Sequence, residues 1–172
     1  MTGVSYLKSR NLEFWLTMIL LLTVTMSSIA AYVFWYKLTF FVGSYLFIHW
    51  LSIVATAFIA VSAPIHYILK RKRPQNSKVL LKIHTFGNLL AFWLISIHFA
   101  QNVGRLAGAL QRLGIGFALY PVLVVTVATG IVDRYQAHGK FSKYIKLIHK
   151  YVVILVYLLI VLHVLEGFNV IL

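Results

Sequence analysis

Four histidines fall into two pairs with one spacing. "HTFGNLLAFWLISIH" runs from His84 to His98, and "HKYVVILVYLLIVLH" runs from His149 to His163. A neutral imidazole offers one ring nitrogen to a metal and keeps a proton on the other, so such residues can hold a metal centre. On a helix, which rises about 1.5 Å and turns about 100° per residue, histidines 14 apart share one face within about 40° and stand about 21 Å apart along the axis. Each segment therefore carries one ring near each leaflet of a bilayer.

If the two helices run the same way, His84 and His149 share one level, and His98 and His163 share the other. Two levels with two imidazoles each suit the iron of haem, which takes two axial nitrogens while the porphyrin supplies four more. Structural zinc needs about four ligands gathered at one level. The chain has no cysteine, which excludes disulfides, thiolate-held iron–sulfur clusters and thioether-attached haem within it.

The elements that must position these rings are membrane spans. Of 172 residues, 61% are hydrophobic and 11% charged, and the mean hydropathy of +0.88 is too high for a water-facing surface. Five stretches approach the roughly 20 apolar residues that a spanning helix needs: 14–36, 43–69, 79–103, 114–132 and 147–172. The expectation is an all-α, polytopic bundle of five transmembrane helices forming a single domain over 1–172. The first apolar run exceeds the roughly 7–15 residues of a signal peptide's core, so it reads as a retained helix.

The net charge of +13 would suggest nucleic acid in a soluble protein, but here the 16 basic residues are sorted by side. Lys8, Arg10, Lys70, Arg71, Lys72, Arg73, Lys78, Lys82, Arg134, Lys140, Lys143, Lys146 and Lys150 fall on one side, which leaves Lys37, Arg105 and Arg112 for the other. The positive-inside rule then predicts the N-terminus inside, the C-terminus outside and a multi-pass protein of the cell (plasma or inner) membrane. Membrane lipid is the expected surrounding partner, with no nucleic acid, and most of the cations set topology or meet anionic headgroups.

"KRKRPQNSK" (70–78) and "DRYQAHGKFSK" (133–143) read as inner loops, and "GRLAGALQRLG" (104–114) as an outer loop with room for a short interfacial turn. Trp15, Trp35, Tyr36 and Trp50 lie near span ends, as aromatic belts do. Pro121 lies inside the fourth span, where neighbouring groups can satisfy the carbonyl it frees.

Between the ligand positions of the third helix, Gly87 and Ala91 fall within about 60° of the His84 direction and leave space for a ring edge. The fifth helix has Val152 and Val156 there, which is weaker support. On the second span, His49 belongs by depth to the outer level and His66 to the inner. Their spacing of 17 is also within about 20° of one face. Both are candidates for hydrogen bonds to a haem propionate or a quinone carbonyl. Asn102 and Arg105 could hold outer propionates, and Lys82 and Lys150 inner ones. His138 reads as a surface residue. The only acids are Glu13, Asp133 and Glu166. Glu166 is either a helix-end carboxylate or a proton acceptor from a quinol.

"KVLLKIHTFGNLLAFWLISIHFAQNVGR" and "TGIVDRYQAHGKFSKYIKLIHKYVVILVYLLIVLHVL" resemble the third and fifth helices, with their lead-in segments, of the ferric-reductase-like transmembrane domain of ferric reductases and NADPH oxidases. The paired-histidine plan is also similar to cytochrome b of quinol-oxidising bc complexes. "HW" at residues 49–50 resembles the small b561-type cytochrome subunits of hydrogenases and formate dehydrogenases. The resemblance covers roughly residues 79–165. It implies two non-covalent b haems stacked between the third and fifth helices, with His84, His98, His149 and His163 as axial ligands. The b561-type plan would instead bring His49 to the outer haem.

The sixth helix and the flavin- and nicotinamide-binding portion usual in ferric reductases do not follow His163 in this sequence. The resemblance therefore implies exchange of electrons with a partner subunit carrying flavin, iron–sulfur or another cofactor, or with quinone. No nucleophile–base pair, phosphate loop or zinc-protease motif accompanies these residues. Three classes stay open: the electron-transferring membrane subunit of an oxidoreductase; a stand-alone quinol-oxidising cytochrome or ferric or oxygen reductase; and a haem-free anchor or transporter in which histidines are polar glue.

Overall fold

In lipid every backbone N–H and C=O must be satisfied within the chain, so long apolar runs become helices. The computed structural model describes residues 3–106, 114–136 and 142–167, of which 3–10 and 136 are described as backbone only. Among the described residues, five helices are long and apolar enough to cross a membrane: α1 (Gly3–Val33), α2 (Phe47–Lys72), α3 (Ser77–Arg105), α4 (Ile115–Gln136) and α5 (Ser142–Gly167). The chain is an all-α multi-pass membrane bundle.

The helices run past several of the expected span ends, and two stretches of the expected spans lie outside them. Residues 34–36 leave α1 and enter a short 3-10 turn, Trp35–Leu38. Residues 43–46 belong to a two-residue antiparallel hairpin, β1 (Phe41–Val42) and β2 (Tyr45–Leu46), that precedes α2. Gly43 turns this hairpin at φ +62°, a left-handed conformation that costs a glycine nothing. Trp50 ties it down by donating its indole N–H to the Val42 carbonyl at 2.9 Å. The interfacial turn expected within 104–114 and the surface position of His138 lie outside the described residues, apart from Gly104, Arg105 and Leu106, which close α3, and Gly114, which leads into α4.

Helix α3 is central, packing on α1, α2 and α4, while α4 pairs with α5. Because lipid tails are as apolar as leucine, no hydrophobic force sorts the large side chains inward, and small residues let the backbones approach instead. Leu22, Val54 and Leu158 accordingly face outward, and Ala31, Ala55 and Ala91 are buried. Hydroxyls link neighbours: Trp93 donates to Ser27 at 2.7 Å, and Tyr120 to the fully buried Ser96 at 3.1 Å. Pro64 cannot bond to the Ala60 carbonyl four residues back, and the Tyr157 hydroxyl of α5 sits at this point. It donates to Ile59 O at 2.8 Å, with Ala60 O at 3.4 Å, so α5 is tied to α2 where α2's own ladder is interrupted.

All five helices meet in one core cluster: Val24, Ala55, Ile59, Ala91, Phe92, Leu123 and Val156. Ala91 lies seven residues from both His84 and His98, and Val156 seven from both His149 and His163. The core is thus a packed apolar layer halfway between the two levels of histidine.

Candidate histidine tiers

At the end of the bundle where Lys70–Arg73, Lys82 and Arg134 gather, the structure brings together His66, His84 and His149. His84 lies within electrostatic reach of both other rings and of Arg134. At the opposite end His98 has the same relation to His49, His163 and Arg105. Six of the seven histidines therefore form two tiers, each with one ring from α2, one from α3 and one from α5.

The α2 and α3 rings are in contact. His66 and His84 stack with centroids 4.6 Å apart and planes 26° apart, while His49 and His98 are tilted at 5.6 Å and 55°. His66 Nδ1 faces the Leu80 carbonyl at 3.3 Å. His84 Nδ1 is 3.0 Å from the Asn88 amide nitrogen, and Ser62 donates to Asn88 Oδ1 at 3.0 Å, so this contact is braced from both helices. An open groove of about 190 Å³ lies beside it, lined by Phe58, Ser62, Ile65, His66, Leu80 and His84 among others.

The α5 rings rest differently, on glycines of α4. A Cβ on Gly130 would fall 3.1 Å from His149 Cε1, and one on Gly116 would fall 3.0 Å from His163 Cε1. In both cases Nδ1 is the nearer of the two ring nitrogens to the glycine, so the two imidazoles share one pose. Gly116 and Gly130 are themselves 14 apart, and since α4 runs antiparallel to α5 this spacing matches the histidines in reverse. Composition gave no hint of these seats. The signal was the recurrence of the interval 14 in a helix with no charged residue until Asp133.

The two α5 rings have different polar partners. His149 Nδ1 lies 3.0 Å from Thr129 Oγ1 and 3.1 Å from the Thr126 carbonyl, both neutral oxygens. His163 Nδ1 lies 3.5 Å from Glu166 Oε2, an ion-pair distance without hydrogen-bond geometry. Glu166 also accepts from the Ile115 N–H at 3.0 and 3.3 Å, which caps α4 where Gly114 turns at φ +54°. A carboxylate at a helix N-terminus completes the orphan donors and the dipole there. Glu166, expected either as a helix-end carboxylate in water or as a proton acceptor, thus also serves as the cap of a neighbouring helix.

Other candidates are placed as follows. Gly87 faces Phe58, whose ring tip occupies the space an added Cβ would need, so its notch takes a phenyl ring from α2. Asn102 donates to the His98 carbonyl at 2.9 Å with its nitrogen 3.4 Å from His98 Nε2, and Arg105 donates to Asn102 Oδ1 at 3.0 Å. Lys82 is engaged by Glu13 at 2.8 Å, and Lys150 is exposed. Glu13, to which the sequence assigned nothing, also pairs with Arg134, and its carbonyl accepts from Thr17 and Tyr135. One carboxylate thereby joins α1, α3 and α4 beside the tier of His84.

The donors fit a haem iron on two observations. Nδ1 of His98 and of His163 is buried without a hydrogen bond, and at His163 it faces the Glu166 carboxylate, which leaves Nε2 of that ring for the metal. At the other tier, His149 has its Nδ1 anchored to a backbone carbonyl, the arrangement that fixes the tautomer of a metal-binding imidazole and leaves Nε2 for the metal. Among the described residues, no three histidine or carboxylate side chains converge to hold a bare ion. Comparison of the chain with family models, with curated proteins and with solved structures found no match.

Proposed function

We propose that this chain carries electrons across a membrane through two b haems, one at each histidine tier, with His84 and His149 as axial ligands at the basic end and His98 and His163 at the opposite end. The supporting observation is the repetition of one unit at two depths: an α3 histidine, and an α5 histidine seated on an α4 glycine. Packing alone gives no reason for such a repeat.

Bound haem supplies a one-electron Fe(III)/Fe(II) couple. The residues do the rest. The glycine seats fix the α5 rings, Thr126 and Thr129 hold the His149 tautomer, and the layer of Ala91, Leu123 and Val156 keeps water out between the tiers. The spacing of about 21 Å divides a hydrocarbon core of about 30 Å into shorter electron steps. In this reading the basic end faces the cytoplasm, and an oxidoreductase partner with its own flavin, iron–sulfur or other centre docks there or on the opposite face. A membrane quinone is the second candidate for donor, favoured by the groove beside His66 and His84. Partner-free reduction by a quinol separates the two.

The reading is tested by reduced-minus-oxidised spectra of the detergent-purified chain and its single histidine variants. The expected result is a reversible b-type spectrum that loses one of two components in each of the four ligand variants. The stacked His66–His84 pair favours a different reading, histidines as interhelical glue. It predicts a colourless protein with unchanged spectra.

A further inference from the structure

The tiers are built with unequal charge. At the basic end the described groups within reach of the histidines, or paired with those that are, include four cations, Lys70, Lys82, Arg134 and Lys146, against two carboxylates, Glu13 and Asp133. At the opposite end Arg105 stands against Glu166. The imidazoles of α5 repeat this inequality at contact distance, since His149 Nδ1 meets a hydroxyl and a carbonyl whereas His163 Nδ1 meets a carboxylate.

A carboxylate beside the outer nitrogen of a ligating imidazole makes the ring more basic, and negative charge near the iron favours its oxidised form. Surplus positive charge does the reverse. Both differences act in the same direction. We propose that Glu166 is the positioning residue of His163 and that it makes its tier the lower-potential one, so that a single electron placed on the chain rests at the Lys82–Arg134 end. This rests on the haem reading above and adds a direction to it: downhill transfer runs from the Glu166 end to the basic end.

The test is a spectroelectrochemical titration of the haem-loaded chain, with His163→Ala used to assign which component belongs to the Glu166 tier. The lower of the two potentials is expected to belong to that tier. Glu166→Gln keeps an acceptor for the Ile115 N–H and is expected to raise the lower potential alone, and Glu166→Asp to restore most of it. Lys82→Gln, at a half-exposed lysine outside the α4 cap, is expected to lower the higher potential alone, so the proposal stays testable if the Glu166 variants fail to fold. If the Glu166 tier has the higher potential, or if Glu166→Gln folds and moves neither potential or the wrong one, the proposal is overturned. A chain that binds no haem would instead overturn the reading beneath it.

Discussion

Helices α2 and α3 bring their histidines ring against ring, whereas α4 offers the histidines of α5 a bare backbone. The difference separates two uses of one residue type. A stacked pair such as His66 and His84 satisfies its own contacts and tolerates a modest change of angle. A ring whose Cε1 lies only 3.0–3.1 Å from where a Cβ would stand packs this closely because the facing residue is glycine. The α5 histidines are therefore the more strictly held, and their neighbours Gly116 and Gly130 are as much part of the site as the rings.

Removing a ring tests this contrast most severely. His163→Ala or His98→Ala is expected to abolish about half of the bound haem, all from the Glu166 tier, with His84→Ala and His149→Ala taking the other half. Loss from the wrong tier in the component spectra would break the pairing by depth. His49→Ala is expected to leave both haems in place, and loss of the Glu166-tier haem in that variant would move a ligand from α5 or α3 to α2.

The next largest effect concerns the joint below the basic-end tier. Glu13→Gln leaves the partly buried Arg134 without its carboxylate, and losing a hydrogen bond between charged groups costs about 1.5–3 kcal/mol. Thermal unfolding in detergent should show a lower midpoint, whereas Lys82→Gln, at a lysine 51% exposed, should barely move it.

Filling a seat comes third. Gly130→Ala puts a methyl 3.1 Å from His149 Cε1, so the ring must give by a few tenths of an ångström. Its diagnostic effect is local: the low-spin ferric EPR signal of the basic-end tier should shift while that of the other tier stays put, with Gly116→Ala giving the mirror result. Unchanged signals in both variants would show that the seats do not orient the ligands.

The smallest effect belongs to the stacked side. His66→Ala removes a ring contact worth about 0.5–1.5 kcal/mol, so it should lower the unfolding midpoint slightly and leave haem content intact. Loss of haem instead would give His66 a ligand's role.

The five spans were legible in the sequence because lipid leaves an apolar run little alternative to a helix. The depth of His49 and His66 was legible because about 1.5 Å per residue converts position to height. What could not be read was lateral: which ring faces which helix. Gly87 was expected to make room for a ring edge and does so for Phe58, since a notch in a sequence does not name its occupant. Glu13 was passed over because its worth lies in Lys82 and Arg134, 69 and 121 residues away. Residues 43–46 of the hairpin were taken into a span because Tyr45 and Leu46 continue the apolar run of α2, with only Gly43 and Ser44 before them to signal a turn.

The central claim is that each tier holds one haem. Quantifying haem as its pyridine haemochrome against protein mass in the detergent-purified chain tests it most directly. The account predicts about two haems per chain. None in well-folded protein would contradict it and leave the six histidines as a packing device.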